Sequence, residues 1–288
     1  MRLGIINEIL RGVWLLEPTM QEAYAKMAFQ YLDTVAVSPR VEASEVYSNP
    51  IVAVGVRTAS VYRMKDNTPS EPFVGVIPID GVVSKSSYCG DMGTVDMMNL
   101  MKANEADPSC VGHILKIDSP GGSAANTETF ARFIREDCKK PVVAHFNSMC
   151  ASAAYYIACA ADEIYASQSD DSVGSIGVYA TLRDYAKAYE KNGIVEHQVY
   201  SSLSPQKNDF VKEAFKGNYK PMQKDYLDPV AESFRQTVND MRPNLTDKSA
   251  LEGKLFAAKN APVGMIDGVM KWAAAVARVA QLANANAN

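Results

Sequence analysis

Two turns in the sequence carry the residue types best suited to chemistry. The first, Asp118-Ser119-Pro120-Gly121-Gly122, follows an apolar run at 111–117. Adjacent glycines can leave backbone N–H groups uncovered for a developing anion, which suits an oxyanion hole. An ordinary tight turn explains the same residues, because proline and glycine dominate turns for conformational reasons alone.

The second turn follows an apolar run at 141–146 and presents Ser152 between two alanines. Small neighbours let a polypeptide approach the serine hydroxyl, and the start of a helix favours negative charge as it develops there. The N–H of Ala153 is a second candidate oxyanion donor. A helix-capping serine is the ordinary alternative. If both turns end parallel strands, they meet at one edge of the sheet, where open α/β sheets place their sites.

The pattern after Pro72 predicts the elements that would position these turns. Predicted strands occupy 74–79, 111–117, 141–146, 163–166 and 195–200. Predicted helices occupy 93–105, 123–138, 151–161, 182–191 and 222–241. Repeated strand, helix, strand order implies right-handed crossovers and a mainly parallel sheet, so the fold class is α/β.

Both ends of the chain have a helical pattern. Met20, Tyr24, Met27 and Tyr31 recur at helical spacing and predict an amphipathic helix at 20–33. Its apolar stripe would cover either its own core or another subunit. The tail from Lys271 predicts an alanine-rich helix whose repetitive Ala-Asn end is expected to fray.

Composition excludes several classes of function. The chain has 29 Lys and Arg against 33 Asp and Glu, a net charge of −4, so it lacks the basic field of a nucleic-acid binder. Five cysteines are scattered without a C-x-x-C pair, which predicts neither disulfides nor a zinc site, and we expect no metal or cofactor. The strongly apolar stretch 150–161 is too short for a membrane span, and the first residues lack a signal-peptide pattern. A reducing, cytoplasmic setting is the expectation.

Five motifs in the right order resemble the signal-peptide-peptidase-A serine peptidases, relatives of Clp protease in the Clp/crotonase superfamily. The motifs lie at 75–81, 118–122, 151–158, 174–178 and 264–267. The resemblance covers about residues 72–270. It implies a Clp-protease/crotonase-like fold of repeated β-β-α units around a mainly parallel sheet.

The resemblance also implies roles for individual residues. Ser152 matches the family nucleophile, and Lys207 is the closest match to the family's general base. The oxyanion hole would use Gly121, Gly122 and Ala153. Ser175, in a Gly-Ser-Ile-Gly-Val motif matched in full, would orient the lysine amine.

Two features depart from the family pattern. The loop 202–209 around Lys207 differs from the family's, and a lysine base must in any case be desolvated, since its reference pKa is about 10.4. The family's Gly-Gly after the nucleophile is Ala153-Ala154 here, so two added methyl groups either line the primary pocket or pack beneath the helix.

Other nucleophiles and bases are disfavoured by their type and position. His113, His145 and His197 all fall within predicted strands, and His145 could reach Ser152 only if its strand ended early. A Ser/His triad is therefore disfavoured. Cys150 has no evident partner and is typical of a small buried thiol, and Ser148 is the remaining hydroxyl in the same turn.

The expected function is a serine endopeptidase with a Ser152/Lys207 dyad. The segment around Trp14 to Pro18, together with the lack of a predicted membrane anchor, is similar to prohead proteases of tailed phages. This resemblance implies scaffold or capsid proteins as polypeptide substrates and, if the chain is phage-encoded, the host cytoplasm or a procapsid as the setting. Two alternatives stay open: a soluble bacterial or prophage peptidase that clears signal peptides or small proteins, and a catalytically inactive assembly component.

The expected organisation has three segments. Residues 1–68 form a helical or extended appendage, 69–270 the peptidase domain, and 271–288 a C-terminal helix and tail. We also expect a homo-oligomeric ring, built with the helices at 20–33 and 222–241, because family relatives limit access to their active sites in this way.

Overall fold

The computed structural model of the chain describes residues 14–16, 51–63, 69–87, 92–195 and 197–286. The helix predicted at 20–33 lies outside the described residues. Strands are β1 (Trp14–Leu16), β2 (Ile51–Gly55), β3 (Val61–Arg63), β4 (Phe73–Asp80), β5 (Cys110–Ser119), β6 (Gly121–Ser123), β7 (Val142–Ala151), β8 (Glu163–Ala166), β9 (Ser172–Gly174), β10 (Leu255–Ala257) and β11 (Gly268–Val269). Helices are α1 (Thr94–Ala106), α2 (Thr127–Arg132), α3 (Ala153–Ala158), α4 (Ala186–Lys191), α5 (Asp209–Phe215), α6 (Lys220–Met222), α7 (Asp228–Met241) and α8 (Trp272–Asn286). Short π-helical turns follow α2 at Phe133–Asp137 and α6 at Gln223–Leu227, and 3-10 turns occur at Lys248–Leu251 and Ala258–Asn260.

One large sheet forms the centre of the molecule. Its strands run in the order β10-β9-β7-β5-β4-β2-β3, with β8 paired to the first half of β7 and β11 to β8. The central strands β4, β5 and β7 are parallel, while β2, β3 and β10 add antiparallel pairs at the edges. The predicted α/β class with a mainly parallel sheet is confirmed.

The central strands are apolar on both faces because helices cover both. Ile77 and Ile79 of β4 lie in the core beneath α1, α2, α3 and α7. Val74 and Val76, which alternate with them, face α8 and its buried residue Val279. Parallel strands buried on both sides read as nearly continuous apolar runs, which is why the sequence pattern located β4, β5 and β7.

The C-terminal helix corrects the expectation of a frayed tail. It continues through Asn286, and Ala275 and Val279 are fully buried against the sheet. Packing of this apolar stripe fixes the first turns of the predicted helix, which then continues into the Ala-Asn repeat as far as Asn286.

Other boundaries also differ from the predictions. The predicted strand at 195–200 is wrong: the described residues there are irregular, with Val195 71% and Val199 93% exposed. An alternating apolar pattern forms a strand only where a neighbouring strand accepts its backbone hydrogen bonds. The helix predicted at 151–161 begins later, because β7 continues through Ala151.

A separate two-stranded pair lies outside the large sheet. Strand β1 runs antiparallel to β6, with Leu16 opposite Gly121 and Trp14 opposite Ser123. Residues 14–16 therefore contact the glycine turn, the first of the two turns described in the sequence analysis.

Candidate active site

The second turn, called the nucleophile turn for the role predicted for Ser152, is created by an irregularity between β5 and β7. Regular pairing ends at Ile117 and Phe146 and resumes with Ser119 opposite Cys150, so residues 147–149 form a bulge relative to β5, while Met149 already pairs with Ser172 of β9. The carboxylate of Asp171 accepts the backbone N–H of Ser148 at 2.9 Å and that of Gln168 at 2.8 Å. Asp171 therefore ties the bulge to the segment before β9 and sets where Ser152 emerges.

Ser152 has an unusual backbone conformation. Its φ of +53° and ψ of −117° place it in a region that side chains rarely adopt, and its N–H donates to the Gly174 carbonyl at 2.8 Å. The residue is 1% exposed, and its Oγ has no hydrogen-bond partner among the described residues. Strain of this kind costs about 1–3 kcal/mol and clusters at functional sites.

The helix that follows Ser152 is fixed by its surroundings. All six residues of α3 are buried. The Tyr155 hydroxyl donates to the Met265 carbonyl at 2.9 Å, and the Tyr156 hydroxyl lies 2.8 Å from Thr237 Oγ1. Ala153 and Ala154 are fully buried within the core, so their methyl groups pack beneath the helix.

The glycine turn lies beside this helix start. Strand β6 contacts α3, and the register of Ser119 with Cys150 brings the two turns together, as predicted. The Gly121 carbonyl accepts the Val83 N–H at 2.8 Å, and the Ser123 N–H donates to the Val83 carbonyl at 2.8 Å. Only glycine fits at 122, since a Cβ there would overlap the Val83 carbonyl oxygen.

The two glycine amides are not equivalent. The Gly121 N–H donates to Ser119 Oγ at 3.1 Å, and that hydroxyl donates in turn to the Gly81 carbonyl at 2.5 Å. The Gly122 N–H points to the opposite edge of β6 from Val83, because backbone groups alternate along a strand. An oxyanion at Gly121 would have to share its N–H with Ser119.

Ser175 lies next to Ser152. It follows Gly174, whose carbonyl holds the Ser152 N–H, and its own N–H donates to the Lys254 carbonyl at 2.8 Å. Ser175 also has a φ of +53° and is 7% exposed. Both serines are thus held in the left-handed region by buried backbone contacts from adjacent strands.

Lys207 is not brought to Ser152. It lies in a turn between α4 and α5, where its N–H donates to the Ser204 carbonyl at 3.2 Å, and its side chain is exposed. A Ser/Lys dyad needs a lysine that is shielded from water, and the exposed side chain of Lys207 does not meet this requirement.

The alternative groups are occupied elsewhere or disfavoured. His113 Nε2 lies 2.8 Å from Glu105 Oε1, and His145 Nε2 lies 2.8 Å from the Met270 carbonyl, with burial lowering the pKa of His145. His197 is exposed. Burial raises the pKa of the Cys150 thiol, which disfavours the thiolate that a nucleophile requires.

Sequence reasoning missed the residues that support the two turns. Asp171 and Lys254 act through hydrogen bonds to backbone groups that no motif marks, and Val83 bridges β6 through its backbone alone.

Burial, with a smaller contribution from Asp80, raises the pKa of the Asp118 carboxyl at the start of the glycine turn. No cluster of histidine, cysteine and carboxylate side chains in the described residues is grouped to hold a metal ion.

Comparison with known proteins finds a family model that matches the chain. The model of peptidase family S49 matches residues 134–286, more than half of the chain. The match includes Ser152, Ser175 and Lys207 and begins after the glycine turn. The suspected relationship to signal-peptide-peptidase-A-type proteases is confirmed.

Individual relatives are similar over parts of the chain. A protein of Methanocaldococcus jannaschii named as a candidate protease is 32% identical over 193 residues, or 65% of this chain and 61% of that protein. Capsid assembly protease C of Escherichia phage lambda is 31% identical over 153 residues, or 51% of this chain and 33% of that protein. A solved mutant of the 1510-N membrane-bound stomatin-specific protease has a TM-score of 0.42 at 16% identity, over 68% of this chain and 78% of that one.

The chain thus spans less than two thirds of the length of either curated relative. None of the helices that the structure describes has both the length and the apolar character needed to cross a membrane.

Proposed function

The chain belongs to peptidase family S49, and we propose that it is a serine endopeptidase in which Ser152 is the nucleophile. The observation that carries this proposal is the strained Ser152, whose buried Oγ has no hydrogen-bond partner among the described residues. The side-chain oxygen of a capping serine accepts a backbone N–H from the first helical turn, and no such cap bond is present at Ser152. A nucleophile instead needs a hydroxyl free to meet a base and a substrate carbonyl.

The Ala153 N–H and the Gly121-Gly122 turn would supply the oxyanion hole. Both lie beside Ser152 on rigid, buried elements, which is what preorganised donors require. The Gly121 N–H already donates a hydrogen bond to Ser119 Oγ, so it would stabilise the oxyanion either by donating to both oxygens or by releasing Ser119 Oγ.

Lys207 is the proposed base, with Ser175 as its orienting hydroxyl. Ser175 already lies beside Ser152, whereas Lys207 must move from its exposed turn into a desolvated position. Because the buried Ser152 Oγ has no partner among the described residues, it could accept a hydrogen bond from the Lys207 amine.

The segment that carries Lys207 supports an oligomeric assembly. Residues 181–221, called the arm below, bury only Ala214 among their described residues. Large apolar side chains of the arm are exposed: Leu182, Tyr185, Tyr189, Ile194, Val195, Val199, Leu203, Phe215 and Tyr219. Apolar surface at this density marks an interaction site, and a closed homo-oligomeric ring would cover it. Light scattering tests this: a mass near 31.3 kDa at micromolar concentration would contradict a stable ring.

The proposed substrates are polypeptides, with scaffold or capsid proteins of a phage as the specific case. The similarity to capsid assembly protease C of phage lambda favours this role. A peptidase that degrades signal peptides or small proteins is the second enzymatic candidate, favoured by the longer match to the M. jannaschii protein.

A catalytically inactive assembly component is the alternative of a different class. The exposed position of Lys207 favours it. Cleavage of fluorescent casein separates the two: Ser152→Ala should lower kcat/KM by at least ~10³-fold with an unchanged circular-dichroism spectrum. Ser148→Ala and Cys150→Ala should retain most of the activity. Equal activity of Ser152→Ala and the parent would overturn the proposal, and absence of cleavage by the parent would favour the inactive component.

A further inference from the structure

Strand β6 is paired on both of its edges, and the two partners differ in kind. On one edge Val83 bridges Gly121 and Ser123 through hydrogen bonds of 2.8 Å each. On the other edge the partner is β1, which comes from the first residues of the chain. About a hundred residues therefore separate β1 from the strand it covers.

The hydrogen-bonding groups on the second edge belong to Gly122. Since the Gly121 carbonyl and the Ser123 N–H face Val83, the N–H and C=O of Gly122 face β1. Leu15 lies opposite Gly122. The glycine that cannot be replaced without a clash against Val83 thus presents both of its backbone groups to the N-terminal segment.

The direction of β1 matches that of a polypeptide led into the site. Strand β1 is antiparallel to β6, so it runs toward the glycine turn and places Leu16 opposite Gly121. That end of β6 adjoins the nucleophile turn, because Ser119 pairs with Cys150, two residues before Ser152. An extended peptide added to a sheet edge obtains its affinity from such main-chain hydrogen bonds.

We propose that residues 14–16 act as an internal occupant of the substrate strand position and must leave β6 before another polypeptide binds there. This inference rests on the proposed endopeptidase function. It makes β1 an autoinhibitory contact: a substrate strand and β1 compete for the same Gly122 N–H and C=O. The apparent affinity for a peptide in trans then falls in proportion to the fraction of molecules in which β1 has left.

A proline scan of β1 tests the competition in the full chain. Leu15→Pro removes the N–H that faces Gly122, whereas Leu16→Pro removes one that points away from β6, so the second variant is the matched control. The probe is a fluorescein-labelled peptide of residues 11–18, titrated by anisotropy against each variant carrying Ser152→Ala to prevent cleavage. Leu15→Pro should bind the probe about tenfold more tightly than the Leu16→Pro control and than the variant with an intact β1. Equal affinity across the three proteins, or no binding to any of them, would overturn the proposal.

Casein cleavage by the corresponding Ser152 proteins separates this inference from the function on which it rests. Leu15→Pro should raise kcat/KM for casein, and the unlabelled peptide of residues 11–18 should inhibit that variant competitively. Cleavage at the same rate by parent and Leu15→Pro would refute autoinhibition while leaving the endopeptidase proposal intact. Tighter peptide binding without any casein cleavage would refute the endopeptidase proposal alone.

Discussion

The proposed nucleophile and its proposed base lie in regions of opposite character. Residues 142–176, called the platform below, hold Ser152 and Ser175, and most of their side chains lie in the core. The arm holds Lys207, and most of its described residues are exposed. A buried region determines its own geometry through packing and hydrogen bonds, whereas an exposed region needs a further contact to become ordered for catalysis. The part of the proposed site that holds Ser152 and Ser175 is thus preorganised, whereas the part that holds Lys207 needs a further contact to become ordered.

Substitution of Lys207 is expected to have the largest effect. If the arm delivers the general base, Lys207→Ala should lower kcat for casein about a thousandfold, within the usual contribution of general-base catalysis. Lys207→Arg should be nearly as inactive, since a guanidinium cannot act as a base at neutral pH. Lys187→Ala, elsewhere in the arm, is the control and should retain activity. Substantial activity in Lys207→Arg would show that Lys207 of the arm is not the general base for Ser152 of the platform.

Core substitutions in the platform are expected to have the next largest effect. Phe146 is fully buried in the core next to the nucleophile turn, so Phe146→Ala should lower the free energy of unfolding by about 3–4 kcal/mol. Leu203 in the arm is 91% exposed, and Leu203→Ser should change it by less than about 0.5 kcal/mol. Denaturant titration measures both. Similar losses in the two variants would show that the arm packs as part of the core.

Glycine substitutions in the glycine turn and in the arm should differ in their effects on stability and cleavage. Gly122→Ala forces a Cβ against the Val83 carbonyl oxygen, and we expect about 2–3 kcal/mol of destabilisation together with a loss of casein cleavage. Gly193 in the arm has a φ of +72°, and a Cβ added there would meet nothing within 4 Å, so Gly193→Ala should cost only about 1 kcal/mol. Unimpaired cleavage by Gly122→Ala would exclude the glycine turn from the site.

The smallest predicted effect is the change in Tm when an ion pair is removed from the platform or from the arm. Arg278 of α8 hydrogen-bonds Glu163 at 2.6 Å and holds the pKa of that carboxyl below its ordinary value. The pair therefore stabilises the folded chain at neutral pH and loses this contribution as the pH falls through the lowered pKa. Glu163→Gln should lower the Tm by about 2 °C at pH 7 and by less in acid. Glu213→Gln, which removes an exposed pair with Lys216 in the arm, should leave the Tm unchanged. A Tm decrease for Glu163→Gln that is the same at both pH values would contradict this account.

The same contrast explains what the sequence could predict. Strands β4, β5 and β7 are predictable because burial on both faces produces long apolar runs. The two turns are predictable from the adjacent glycines of the first and from the small residues that flank Ser152 in the second. Ser152 and Ser175 were identified from local motifs, and the structure brings them together. Their roles, with those of Lys207 and the oxyanion amides, remain predictions.

What the sequence could not predict depends on tertiary contacts. Val195 and Val199 alternate like a strand but meet no partner strand among the described residues. The contact of β1 with β6 joins residues about a hundred positions apart through backbone groups, which leave no side-chain pattern. Asp171 shapes the nucleophile turn by accepting backbone N–H groups, a role that any nearby carboxylate could fill.

The most direct test of the central claim is labelling of the full chain with a fluorophosphonate probe, followed by peptide mapping by mass spectrometry. Only a serine activated by its surroundings reacts readily with such a probe. The account predicts one modified residue, Ser152, and no modification in the Ser152→Ala variant. Modification at Ser148 in the parent, or an unmodified parent at a probe concentration that labels a known serine protease, would contradict it.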